Sequence, residues 1–497
     1  MLGVRTAASI VVIVMVLAGV TAAGDTRLIE AVKNRRLEDV RALLKQRVDV
    51  NATQGDKATA LHWAVRADDA AMVGVLLGAG ARADLADDTG VTPLYLACLN
   101  RNARMVETLL EAGANPNAAL AGGETVLMTC SRTGEPAAVR ALLARGAAVN
   151  AKEPAHQQTA LMWAASESHS PVVAALLERG ADVRARSRIY TQTVTSEVTQ
   201  RAGREELNYT VPRGGSSALL FAARSGDRES ARLLIAAGAD VDDALPDGAS
   251  ALIVAAHSGH GQVAALLLEA GADPNRDTVG YTALHAAVLR SDLALVEALL
   301  TRGANPNAPL TRGTPVRRNS QDFELPKTLL GATPYLLAAR FLEPDIMRAL
   351  AAAGADTHQP MKDGATPLMA AAGIGIAAAA QDEKRGTNRR GLAILDGGTI
   401  EPESRVRETV TAALTLGSNI DAVNPAGDTA LHVAAAHGYD SVVALLARSG
   451  ANVNVRNARG LTALGALTRG ANGKTGADGE SPRQSTIDLL RTLGATD

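Results

Sequence analysis

The chain has 497 residues, 47% of them hydrophobic, yet it holds three Phe, two Trp and six Tyr. An apolar fraction made almost wholly of Ala, Leu and Val excludes a large layered core, which draws on aromatics for buried area, and points to thin layers of closely packed helices. The balance of 50 basic against 52 acidic residues excludes a whole-chain nucleic-acid binder, and two cysteines exclude a disulfide scaffold and a four-Cys zinc site.

The first predicted element is an export signal over residues 1–24. Arg5 and the amino terminus supply positive charge, and Ala7 to Val20 is apolar but too short to span about 30 Å of hydrocarbon. Thr21, Ala22, Ala23 and Gly24 then offer small residues for cleavage. The expectation is an exported chain, periplasmic or secreted, beginning at residue 23, 24 or 25. The alternative is an uncleaved N-terminal anchor. The later apolar run Ala370 to Ala380 is short and closes at Asp382, Glu383, Lys384 and Arg385, so no stable membrane insertion is expected after cleavage.

From residue 25 onward a repeat organises the chain. A hydroxyl residue opens a short Leu/Ala-rich stretch at Thr26, Thr59, Thr92, Thr125, Thr159, Ser217, Ser250, Thr282, Thr333, Thr366, Thr429 and Thr462. Eight of the spacings lie between 32 and 34 residues, and the other three are longer by an insertion. Each hydroxyl is placed to cap a helix by accepting from its first free backbone N–H groups. Pro93, Pro334 and Pro367 follow at the first helical position, where a missing N–H costs little. A Gly stands 21 residues after the mark in most units, for example Gly80, Gly113 and Gly450, where a second helix can end in the left-handed conformation. Such a unit cannot bury its apolar faces alone, so neighbours must stack.

The phrases TALHWA (59–64), TPLYLA (92–97), TALHAA (282–287) and TALHVA (429–434), with GANPN (113–117, 303–307) and GADPN (271–275), resemble the ankyrin repeat. The resemblance covers essentially residues 25–497. It implies an all-α ankyrin-repeat solenoid of about twelve units, each helix–turn–helix plus an extended finger. It also implies a scaffold that recognises another protein through finger tips and the concave helix face.

Four insertions interrupt the pattern. The first, about 183–216, alternates β-branched and polar residues and has Gly203 to turn it back, which predicts a β-hairpin. The second, about 308–331, carries Pro309, Pro315 and Pro326 and predicts a loop. The third, about 375–404, falls between the two helices of its unit. The fourth, about 470–484, is Gly-rich and lies between the helices of the last unit.

The candidate chemistry is sparse. His62, His285 and His432 share one repeat position, and the resemblance implies that they bond backbone and Thr groups rather than a metal. His257 and His260 make a lone His-x-x-His. Cys98 and Cys130 lie in adjacent units at different helix positions, so buried free thiols are expected. No catalytic set, phosphate loop or cofactor motif is phased to one surface, which predicts neither an enzyme nor a cofactor.

The candidate partner-binding residues are Trp63, Trp163, Tyr190, Tyr209, Phe221, Arg224 and Arg340. Trp63, Trp163 and Phe221 stand four residues after their marks, whereas Arg66, Arg224 and Arg340 stand seven after. The first insertion holds Arg184, Arg186, Arg188, Arg201, Arg204 and Arg213 against Glu197, Glu205 and Glu206, and the second is also net basic. An acidic protein surface is the expected partner, not a nucleic acid. The competing reading is an accessory subunit of an exported enzyme or redox complex.

Overall fold

The computed structural model describes residues 26–200, 203–313, 329–373, 403–470 and 484–497, with the backbone alone described over 194–209. The expected signal segment lies outside the described residues. So do most of the second, third and fourth insertions. The chain divides into two compact units, one of residues up to 188 with 236–238, the other of residues 189–235 and 239–497.

In the first unit each capping mark starts a short helix, a tight turn and a second helix. The pairs are Arg27–Lys33 with Leu37–Lys45, Ala60–Arg66 with Ala70–Gly78, Pro93–Leu99 with Ala103–Glu111, Val126–Thr133 with Pro136–Ala144, and Ala160–Ser166 with Ser170–Leu177. The second unit repeats the scheme from Ala218–Ser225 and Arg228–Ala236 to Ala463–Gly470 and Gln484–Thr492. Its helices Pro367–Ala371 and Glu403–Thr415 stand on either side of the third insertion.

The caps form as the sequence predicts. Thr92 Oγ1 accepts the Tyr95 N–H at 3.2 Å, Thr333 Oγ1 the Leu336 N–H at 3.3 Å, and Thr462 Oγ1 the Gly465 N–H at 3.1 Å. Thr26 differs: its backbone is already helical and its side chain makes no cap bond. Two residues after the mark, Leu28, Leu61, Leu94, Leu127 and Leu161 are all buried, and Tyr335 takes that place in its own unit. Ala64, Ala97, Ala164 and Ala222, five after the mark, are fully buried and let first helices approach closely. Gly80 leaves its helix at φ +87°, and Arg47 adopts φ +61° at the corresponding place in the first repeat.

A side-chain ladder fixes the fingers. Asn117 Nδ2 donates to the Gly146 carbonyl at 3.1 Å, and its Oδ1 accepts the Ala148 N–H at 2.8 Å. Asn51, Asn150, Asn275 and Asn454 repeat this pair of bonds to the next finger. Asn307 carries it across the second insertion to Gly354 and Asp356. His358 Nε2 donates across the third to the Gly417 carbonyl at 2.9 Å. The repeat register is therefore kept on both sides of those insertions. Asp84 stands at the same register position but pairs with Arg82 instead. Asn117→Ala removes two exposed bonds of the ladder and is expected to cost about 1–2 kcal/mol in denaturant melts of the full chain.

The first insertion is the predicted hairpin. Strand β1 (Tyr190–Gln200) pairs antiparallel with β2 (Gly203–Arg213), from Tyr190 opposite Arg213 to Gln200 opposite Gly203. Arg213 Nε donates to Gln192 Oε1 at 3.0 Å, tying the base of the ribbon.

One expectation is overturned. Cys98 and Cys130 are joined in a disulfide with Cα atoms 4.8 Å apart. The separation of 8–10 Å between neighbouring helices is measured between axes. Each Cα stands about 2.3 Å off its axis, so facing Cα atoms approach to roughly 4–5 Å. Cys130 occupies the small-residue position where other units have Ala, and both cysteines are fully buried.

Candidate interaction surface

The three register-matched histidines close the caps. Thr59 N–H donates to His62 Nδ1 at 3.1 Å, and His62 Nε2 donates to the Val91 carbonyl of the next finger at 3.0 Å. His432 does the same with the Thr429 N–H and the Leu461 carbonyl. His285 Nδ1 accepts the Thr282 N–H at 3.2 Å, while its buried Nε2 makes no hydrogen bond of normal geometry. Burial holds the His62 ring below the usual imidazole range, against the Val91 carbonyl. Burial pushes His285 down to about 4, although the Ala332 and Ala308 carbonyls favour its proton.

His257 and His260 serve packing. His260 Nε2 donates to the Arg224 carbonyl at 3.0 Å, and the His257 ring lies 5.9 Å from Tyr281. In the first unit Asn100, Thr133 and His169 likewise donate to last-turn carbonyls of Val65, Cys98 and Arg132. Among the described residues no group of three or more His, Cys, Asp or Glu side chains is gathered as for a metal ion.

The seven candidate contact residues separate into two groups. Trp63 and Trp163 belong to the first compact unit and the other five to the second. Trp63 is half-buried, with Lys33 Nζ 4.5 Å and the Arg66 guanidinium 5.5 Å from its ring centre. Trp163 is half-buried under Arg132 at 5.6 Å. Both indole N–H groups are buried and lack acceptors, so part of each ring fills the stack of first helices. The Glu124 carboxylate accepts from Thr129 Oγ1 at 2.7 Å and faces Arg132 at 3.5 Å, a cluster that the repeat pattern gave no sign of.

In the second unit Tyr190 is exposed at the start of β1 beside Ile189, itself 59% exposed. Tyr209 lies opposite Val194 in β2, and its side chain is outside the described residues. Phe221 is half-buried, Arg224 exposed and Arg340 half-buried, each in the register position that the sequence assigned. Tyr190, Phe221 and Arg340 thus stand on the hairpin, the Ser217 repeat and the Thr333 repeat, and they share no single helix.

Comparison with known families decides what this architecture is. A model described as ankyrin repeats (3 copies) matches residues 28–120, 118–187 and 214–309, and a single ankyrin repeat matches residues 426–458. The chain belongs to the ankyrin repeat family. The crystal structure of the human ASB11 ankyrin repeat domain is similar to this ankyrin protein at 25% identity, covering 54% of this chain and 99% of that one, with a TM-score of 0.39. No curated protein matches the chain. Ankyrin repeats suggest a protein–protein interaction scaffold, and proteins of this family are generally not enzymes. Among the described residues no helix is long and apolar enough to cross a membrane.

Proposed function

We propose that this chain is an exported scaffold of about twelve ankyrin units that binds an acidic partner protein. The ankyrin repeats carry the binding half of the reading. Export is supported by the signal-like pattern of residues 1–24 and by the Cys98–Cys130 disulfide, since disulfides persist in oxidising compartments and are rare in the cytosol. The acidic partner is supported by the exposed arginines around the hairpin base.

The hairpin is the proposed contact arm. An isolated two-stranded ribbon is marginally stable in water, and β1 offers exposed Tyr190, Thr191, Gln192 and Thr193. Replacing residues 189–213 by a short Gly-Ser joint tests it in partner capture from the exported fraction, with melting followed in parallel. Capture is expected to fall at least roughly tenfold while the melting temperature stays within about 2 °C, as for loss of contacts at an interface. Lost stability with unchanged capture would make the hairpin a brace.

A further inference from the structure

The two outer edges of the hairpin differ in chemistry. The sheet holds β1 and β2 alone, so each strand has one edge that no other described strand covers. Among the described residues no helix packs along either strand. The edge of β2 is fenced: Arg204, Glu205, Glu206 and Arg213 set charge along it, and Pro212 has no N–H to give. The β1 sequence is YTQTVTSEVTQ, with Glu197 as its one charge and neither Pro nor Gly. Its Thr191, Gln192 and Thr193 are exposed. A long, β-prone and nearly uncharged edge is a template for a further strand.

The ladder register also sorts the ribbon into two faces. Directly opposed residues share a face, and successive residues alternate between faces. Tyr190, Val194 and Val198 fall on one face with Leu207, Tyr209 and Val211. Thr191, Thr193, Thr195 and Thr199 fall on the other, polar face. One face of the ribbon is therefore apolar, yet two strands fall short of the three that such a face needs for stability of its own.

We infer that the outer edge of β1 pairs antiparallel with β1 of a second copy of this chain, making one four-stranded sheet across a two-fold axis at Thr195. The inference goes beyond the scaffold reading, which concerns a different protein. Three features select a second copy. Pairing over all 11 residues, roughly 35 Å of strand, sets Tyr190 opposite Gln200 and Thr195 opposite its own counterpart. In that register Glu197 meets Thr193, so the one charge on the edge meets no like charge. Because opposed residues share a face, the two apolar faces join on a sheet of four strands, which meets the strand count that one ribbon lacks. An acidic partner segment, by contrast, finds no cation on β1.

Sedimentation of the mature chain over a concentration series reads the pairing. The parent is expected to be a reversible dimer, and replacement of residues 189–213 by the Gly-Ser joint to leave a monomer. Thr195→Lys and Thr195→Glu each set like charges face to face at the axis. Each is expected to weaken the dimer at least roughly fivefold while melting as the parent does. Mixed in equal amounts, the two variants oppose Lys to Glu and are expected to regain about the parent's affinity. A parent that stays monomeric, charge variants that dimerise as the parent does, or a mixture no tighter than either variant alone overturns the inference. So does a dimer that survives loss of the ribbon, which moves the contact to another surface. A monomeric parent whose β1 amides gain protection from hydrogen exchange only with a captured partner also overturns it, and gives the edge to that partner. Capture is scored apart from sedimentation. A parent that dimerises but captures nothing keeps this inference and loses the scaffold reading, and a monomeric parent that captures a partner does the reverse.

Discussion

Replacing Cys98 and Cys130 by alanine is expected to lower the stability of the first compact unit by about 3–4 kcal/mol. The cysteines are 32 residues apart in sequence, and closing a loop of that length removes about this much chain entropy from the unfolded state. Both side chains are fully buried at the contact of helices Pro93–Leu99 and Val126–Thr133, so alanine there leaves small voids and no unpaired polar group. In a repeat array the loss is felt locally and spreads through neighbouring interfaces. Denaturant melts of parent and variant, each with and without reductant, read the effect. The reduced parent should melt like the variant. A parent indifferent to reductant, or a variant within about 0.5 kcal/mol of it, would refute the clamp.

Acid should destabilise the second unit through His285. Its ring titrates near 4 in the folded chain because it is fully buried, against an unperturbed value near 6.5 once unfolded. Between those values the unfolded chain holds the extra proton. Stability is then complete above pH 6.5, declines as pH falls, and levels off below pH 4. A difference of that size corresponds to about 3 kcal/mol. Protonation also takes away the Nδ1 lone pair that accepts the Thr282 N–H. Glutamine at this position can still accept that N–H without titrating. His285→Gln is therefore expected to flatten the melting-temperature profile between pH 7 and 4.5 relative to the parent. Profiles of the same slope would show that other groups carry the acid sensitivity.

How much was legible in the sequence differs from element to element. The helix starts were legible because a cap is local: Thr92 or Thr333 finds its backbone donor three residues away. The hairpin was legible because alternation and a turning Gly203 are also local, and the observed register closes at Gln200 opposite Gly203. The resemblance to the ankyrin repeat implied backbone and Thr partners for His62 and His432, and their rings make those bonds.

Other features needed the third dimension. The mean spacing of helix axes says nothing about which two Cα atoms face each other, so Cys98 and Cys130 read as separate thiols. The surroundings of the buried His285 ring were invisible for the same reason, since the Ala308 and Ala332 carbonyls beside it lie well away from it along the chain. Lys33 set against Trp63 and Arg132 against Trp163 likewise join residues of neighbouring repeats. By itself the sequence determined the repeat, its caps, its turns and its hairpin, because those depend on bonds between residues a few positions apart. The tertiary structure alone decided the disulfide and the cation–aromatic stacks between repeats, because each depends on which faces of neighbouring repeats meet.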